Sequence, residues 1–377
     1  MPAPTADAAP RIPPRPPLDA FYAALADTEG GRRPGPVSVV QIGDSHTAND
    51  SFSGRMRELF QARFGDGGRG LLPPGVPYRY YKPAGAHVSS EGWSIASSYG
   101  DNPAPGPFGL AGLRQEAAGP ADMSISFDSG ADSVDIEVLR QSGGGTVEVS
   151  ADGNPPVVVP TAGAGPAWVD LAPPRGLHLL SVHARGDGPV AVLSWRARAR
   201  SGVTWSNLGT PGATAGLLRR WDPGLVAAEL RHEAPALVVL AFGTNEGFRN
   251  RPDLDDPADF GRALALLRAG APGASILVAL PPDGVRRTAG GDCPGGYATP
   301  PGLEVVRARE RANAGNVAVW DWSVAMGGRC SFVAWMGADP QLAAPDGVHL
   351  RTDGYRITAE KLYAELMAGY DAWAGHR

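Results

Sequence analysis

Three short polar motifs interrupt apolar stretches of this 377-residue chain, and their residue types could together perform acyl transfer. The first is Gly43-Asp44-Ser45-His46-Thr47. A serine between a strand and a helix either caps the helix or offers its hydroxyl as a nucleophile near open backbone N–H groups. The second is Gly243-Thr244-Asn245-Glu246, which reads as a turn or as an amide donor aimed at an oxyanion. The third is Asp346-Gly347-Val348-His349. A serine nucleophile needs a base to take its proton, and an imidazole has a suitable affinity near neutral pH. That base needs a carboxylate to hold its tautomer, and an Asp three residues earlier in a turn can reach Nδ1. Of seven histidines, only His349 combines a nearby carboxylate with a place at a sheet edge; His46 adjoins the serine itself, and His87, His178 and His183 fall in or near a β-rich block.

Those motifs work only if strand ends bring them together. PVSVVQIG (36–43) reads as a buried parallel strand leading into the first motif, followed by a helix over 50–64 that begins near Asp50 or Ser51. ALVVLAFG (236–243) leads into the second motif. GVTWSNLG supplies another strand and TAGLLRRW a helical stretch. A helix near 256–269, a strand at 275–281, a helix at 302–314, a strand at 316–322 and a final helix near 354–374 complete the rhythm. Strands alternating with helices imply a parallel sheet covered on both faces, whose ligand site lies at the strands' C-terminal ends. Between about 68 and 200 the texture changes to short alternating runs such as SVDIEVLR and TVEVSADG, separated by Gly/Pro clusters. That pattern predicts antiparallel strands in a sandwich, inserted after the first βα unit. The expected organisation is a Pro/Ala-rich segment and first helix over 1–30, a discontinuous α/β domain over 31–80 and 201–377, and a β insert over 81–200.

Composition excludes several classes. The formal net charge is −5, which argues against a nucleic-acid binder; lysine occurs only at positions 82 and 361, a bias towards arginine that reads as genome composition and not as function. No apolar run is long enough for a membrane span. The N-terminal MPAPTADAAPRIPPRPP has no apolar signal core, so the expected location is cytoplasmic, or periplasmic or secreted if a leader has been removed. Cys293 and Cys330 are either two separate buried thiols or one disulfide between two late loops. GDGGRG (65–70) lacks the residues of a phosphate loop and reads as a turn. His178 and His183 lack convincing metal spacing. Trp93, Trp205 and Trp335 fall in loops or near strand ends; each is expected to pack, with Trp335 the candidate for stacking on a sugar. Asp283 and Glu246 receive no role.

In this order the three motifs resemble blocks I, III and V of the SGNH/GDSL hydrolase superfamily, with GDSH in place of GDSL. Asn207-Leu208-Gly209-Thr210-Pro211-Gly212-Ala213-Thr214 occupies the place of block II, with Gly212 the better match to the family glycine and Gly209 the alternative. GDSHTAND, QARFGDGGRG, GPFGLAG, FGTNEGF, WDWSVAMGG and DGVHL are similar to bacterial peptidoglycan O-acetylesterases, which carry a carbohydrate-binding-like β-sandwich after block I. The resemblance implies a flavodoxin-like three-layer α/β/α fold interrupted by that sandwich. It implies Ser45 as nucleophile, His349 as base and then acid, Asp346 as its orienting carboxylate, and Ser45, Gly212 and Asn245 as the oxyanion hole. No metal or organic cofactor is called for. The implied reaction is removal of O-acetyl groups from a carbohydrate, possibly peptidoglycan. The competing expectations are an O-acyltransferase with the same triad and a non-catalytic glycan-binding protein on this scaffold.

Overall fold

The computed structural model describes residues 17–100, 102–172, 176–249 and 257–375. The leader through residue 16, His376 and the start of the helix expected near 256 lie outside that set. Five parallel strands form the central sheet in the order Val203–Gly209, Val37–Gly43, Leu237–Ala241, Ser275–Leu280 and Ala318–Asp321. The inner strands read as unbroken apolar runs because both of their faces are covered. Val39, Leu237, Val239 and Leu277 meet one core, which also holds Phe21, Phe60, Trp205 and Tyr355 from the helices Asp19–Glu29 and Thr352–Gly375 and their neighbours. Val40, Ile42, Val238 and Leu240 meet the opposite core, with Leu230 and Leu264 from the helices Pro223–Glu233 and Asp259–Gly270. Alternate residues of each strand thus belong to different cores, as the two-residue strand period requires.

The helix Asp50–Phe64 falls where the sequence puts it, but its cap is Asn49, whose side chain accepts from Ser51 N–H. TAGLLRRW forms a 3-10 turn over Ala215–Arg220 and not an α-helix. The chain closes here through i→i−3 bonds, Leu217 N–H to the Thr214 carbonyl at 3.0 Å and Trp221 N–H to the Leu218 carbonyl at 3.2 Å. Trp335 lies within the short helix Ser331–Met336 and Trp205 inside a strand, so neither is a loop residue.

The block from 68 to 200 forms two antiparallel sheets. One has the strand order Gly165–Leu171, Ser133–Arg140, Val190–Arg198, Leu113–Ala117 and Ser94–Ser97. The other runs Ala86–Glu91, Pro120–Ala131, Leu177–Arg185, Thr146–Ala151 and Val157–Pro160. Residues of both sheets, including Ile125, Val149, Val182, Ile136, Val192 and Trp195, share one apolar core. Gly70–Leu72, assigned by sequence to the α/β part, pairs instead with Val190–Arg198. Phe108, Leu110 and Leu113 of this block pack into the core of the α/β sheet. Polar groups are buried at the same junction. Arg196 reaches both Asp135 (3.2 Å) and Glu233 (2.8 Å), and Glu229 accepts from Leu110 N–H. Cys293 and Cys330 form a disulfide. No described helix is long and apolar enough to cross a membrane.

Candidate active site

The first strand ends at Gly43, where a methyl group would lie 2.3 Å from Thr47 Oγ1 and 2.4 Å from the Ala241 carbonyl, so only glycine lets the chain turn here. Asp44 then caps the one-turn helix Ser45–Ala48, accepting from His46 N–H at 2.9 Å. Asn207, on the neighbouring strand, bonds the Thr47 carbonyl and Ser53 Oγ from beneath. Asp50 holds the next turn: it meets Arg69 at 2.6 Å and Arg57 at 3.2 Å and accepts from Ala84 N–H at 2.8 Å. Burial would raise its pKa, but the two guanidiniums hold it near 2. The turn that carries Ser45 therefore rests on a charged carboxylate paired with two buried arginines. The arginines carried no sequence signal, since nothing in their spacing points at Asp50.

The structure brings the three motifs together. Ser45 Oγ lies 2.9 Å from His349 Nε2, and His349 Nδ1 lies 2.7 Å from Asp346 Oδ2. The other Asp346 oxygen accepts from Val348 and His349 N–H, each at 2.9 Å. Burial pushes the Asp346 carboxyl up, yet these N–H donors and the ring leave it below the usual carboxylate range. Gly347 makes the local loop possible at φ +78°, with Val285 N–H donating to its carbonyl and the Val285 carbonyl 2.2 Å from where a Cβ would sit.

Asn245 opens the helix Thr244–Phe248, and its Nδ2 donates to the Ala213 carbonyl at 2.8 Å. Glu246, unassigned from sequence, accepts from Ala215 N–H at 2.8 Å and Gly243 N–H at 3.1 Å. Together these two side chains clasp the 210–215 loop onto the end of the central strand. The two candidate glycines separate clearly. Gly209 N–H is committed to Asn207 Oδ1 at 3.1 Å, and a Cβ there would lie 2.1 Å from Ala48 N. Gly212 has φ +80°, and the N–H groups of Gly212 and Ser45 have no acceptor among the described residues. Tyr99, from the β-rich block, stands over Gly212.

His46 is buried behind this relay. Its Nδ1 lies 3.0 Å from Tyr355 Oη, and its ring centre is 5.5 Å from that of His349. Burial, with the neighbouring His349, lowers its pKa to about 3. Burial also raises Asp44 to about 7, with Glu246 adding and His46 N–H opposing. Asp283 supports the far side of the site, accepting from Thr299 Oγ1 at 3.0 Å and Phe332 N–H at 3.1 Å.

Ser45 and His349 open onto a cleft of about 590 Å³. Trp335 does not line it: the indole is half-buried against the apolar core. Trp205 is wholly buried, its Nε1 donating to Gln41, and Trp93 packs against the core of the β-rich block. His183 pairs with Asp122 on a strand face. A possible cation cluster of Asp135, Asp170 and His232 lies at the junction of the two parts, but both oxygens of Asp135 already meet arginines.

The model of the GDSL-like lipase/acylhydrolase family matches residues 161–357, a span that holds Gly212, Asn245, Asp346 and His349 and begins after Ser45. Among solved structures, one described as "Peptidoglycan O-acetylesterase in action" is 27% identical with a TM-score of 0.79, covering 95% of this chain and 97% of that one. A Bacillus subtilis protein is 12% identical with a TM-score of 0.34, over 79% of this chain and 96% of its own. A family two carbohydrate esterase from Cellvibrio japonicus is 11% identical with a TM-score of 0.28, over 76% and 98%. A comparison with curated protein sequences finds no match.

Proposed function

From the fact that the chain belongs to the GDSL-like lipase/acylhydrolase family, we propose that it is a serine esterase removing O-acetyl groups from a carbohydrate, with peptidoglycan the leading candidate. The observation that carries this reading is the continuous relay from Ser45 Oγ through His349 to Asp346. The acetyl substrate and its glycan carrier are supported by the similarity to the peptidoglycan O-acetylesterase structure.

In this mechanism Ser45 Oγ attacks the acetyl carbonyl as its proton passes to His349 Nε2. Asp346 holds the opposite ring nitrogen as donor and stabilises the imidazolium. The carbonyl oxygen becomes negative facing the N–H groups of Ser45 and Gly212 and the second N–H of the Asn245 amide. Such donors act where charge develops, and each supplies about 3–4 kcal/mol of transition-state stabilisation. Collapse expels the sugar oxygen, which takes the proton from His349, and leaves an acetyl-Ser45 ester. Water, deprotonated by His349, attacks that ester; the intermediate expels Ser45 Oγ, which takes the proton back from His349, and acetate leaves.

In the same reading the two antiparallel sheets between 86 and 198 act as a carbohydrate-binding module, and the enzyme works in the periplasm or outside the cell, where its polymer lies. The Cys293–Cys330 disulfide fits an oxidising compartment. The test is acetate release from O-acetylated peptidoglycan, O-acetylated xylan and 4-nitrophenyl acetate, compared side by side. Ser45→Ala should lower turnover by on the order of 10³ or more. Wild-type acetate release by that variant would overturn the assignment.

A further inference from the structure

The cleft holds more than the reacting groups. Beyond Ser45 and His349 its wall carries Arg55, Arg356, Lys82 and Tyr80. These three cations share the cleft with two acids, Asp50 and Glu58, and Lys82 is one of only two lysines in the chain. Lys361, the other lysine, is occupied with the Ala325 carbonyl. Lys82 is exposed and has no ion pair or hydrogen bond among the described residues. Arg55 and Arg356 are partly neutralised, both by Glu58 and Arg55 also by Glu360. Asp50, also at the cleft, is committed to Arg57 and Arg69, so it does not cancel Lys82.

The aromatic partner is equally exposed. Tyr80 is 78% accessible, the highest value among the exposed large apolar side chains, and the Arg79 guanidinium lies 5.5 Å from its ring centre. Neither Tyr80 nor Lys82 sits on a loose loop. Tyr78 Oη donates to the Ala48 carbonyl at 3.2 Å, Tyr81 N–H closes a turn onto the Tyr78 carbonyl at 3.0 Å, and Ala84 N–H binds Asp50 at 2.8 Å. Residues 78–84 are thereby tied at both ends to the nucleophile's own turn and the helix after it. The backbone carrying them is anchored, the ring is open and the ammonium is unpaired among the described residues, a combination that suits a sugar face and an anionic substituent on the same ligand.

We propose that Lys82 and Tyr80 form a specificity subsite for a carboxylate-bearing glycan, Tyr80 stacking on a sugar ring and Lys82 pairing with the carboxylate while the acetyl ester lies at Ser45. This rests on the esterase reading and adds the charge of the substrate to it. The carboxylate can belong to a sugar acid or to a peptide borne by the glycan; the chemistry at Lys82 is the same.

The test measures kcat/KM on two substrate pairs: O-acetylated oligogalacturonide against its carboxyl-reduced form, and O-acetylated muropeptides against their carboxyl-amidated form. In at least one pair the wild type should favour the charged member by about fivefold, the upper range for one exposed ion pair. The responding pair identifies the carboxylate's source. Lys82→Glu should abolish that preference and Lys82→Arg retain it. The wild-type preference should shrink as salt rises from about 0.05 to about 0.5 M. Tyr80→Ala should raise KM on both members of the responding pair. A ratio near one for the wild type in both pairs, or a preference that survives Lys82→Glu, would overturn the subsite while leaving the esterase standing. Absence of acetate release from every ester, 4-nitrophenyl acetate included, would instead remove the esterase reading and the subsite with it.

Discussion

Replacing Gly212 by alanine tests the oxyanion loop more sharply than removing the nucleophile does. At φ +80° an L-residue costs about 1–2 kcal/mol relative to glycine. The new methyl carbon would also stand 2.4 Å from the Tyr99 hydroxyl oxygen and 3.3 Å from its Cζ. Something must yield. Tyr99 is 37% accessible and can swing outward, or the 210–215 loop can shift and carry the Gly212 N–H off the oxyanion. The second response forfeits one oxyanion donor, a loss of about 10²–10³ in kcat. Tyr99→Phe removes the nearest atom and leaves the backbone strain, so the double variant should recover about tenfold of a kcat loss of that size. Gly209→Ala is the control. Its methyl would collide with Ala48 N at 2.1 Å and Cα at 2.5 Å, which is backbone that cannot rotate away. Overpacking of that kind costs about 1–3 kcal/mol of stability, so Gly209→Ala should register first in the melting temperature. The assay is initial acetate release together with thermal unfolding for all four proteins. Wild-type kcat in Gly212→Ala would mean that Tyr99 yields and the loop stays, refuting the expected loop shift, and a kcat loss untouched by Tyr99→Phe would refute the steric account.

Two further outcomes follow from the same geometry. Asn245→Ala removes both an oxyanion donor and the bond to the Ala213 carbonyl; kcat on 4-nitrophenyl acetate should fall by about 10²–10³, and a fall of less than about threefold would assign the amide to the clasp alone. Glu137 and Glu229 meet at the junction between the β-rich block and the helix Pro223–Glu233; burial raises Glu137 to about 7 and, with Glu137 adjoining, lifts Glu229 well above the usual range. Because the folded protein keeps protons that the unfolded chain has released above about pH 4.5, stability from this pair is complete below that pH and is lost as pH rises through about 7. Urea unfolding at pH 5.5 and pH 8 should show that loss, at up to about 1.4 kcal/mol per pH unit for one proton, and Glu229→Gln should reduce it. Asp44 contributes in the same sense, so the difference between variant and wild type isolates the pair; an unchanged difference would mean the two carboxyls do not share a proton.

What the sequence made legible is what depends on near neighbours in the chain. Val37–Gly43 and Leu237–Ala241 read as buried strands because both faces are apolar, and Asp346 and His349 read as partners because three residues separate them. Only the family resemblance ranks Gly212 above Gly209, since both occur in a turn-rich segment. What separates them is Ala48 beneath one and Tyr99 above the other, and Tyr99 comes from more than a hundred residues upstream. The Asp50–Arg57–Arg69 base lies nearer in the chain, but spacings of seven and nineteen carry no motif, and the Glu246 clasp on Ala215 and the exclusion of Trp335 from the cleft depend on how separate elements pack. The 3-10 turn at Ala215–Arg220 shows the reverse limit: its local pattern looks helical, but the clasp on Ala213 and Ala215 dictates its geometry.

The histidine beside the nucleophile shows why proximity alone would have chosen the wrong base. In the proposed mechanism His349 becomes an imidazolium as Ser45 attacks, with its ring centre 5.5 Å from that of His46. A second positive charge at that distance would oppose the step by about 3 kcal/mol at an effective dielectric constant near 20, roughly a hundredfold in rate. Burial keeps His46 neutral, with a pKa near 3, and Tyr355 Oη occupies its Nδ1. Asp346, by contrast, is spent on His349, to which it gives one oxygen through the ring and the other through the backbone. The two imidazoles thus have opposite requirements. One must gain a proton at mid-reaction, and the other must never hold a second one, so the carboxylate has to sit beside the more exposed ring and away from the ring next to the serine.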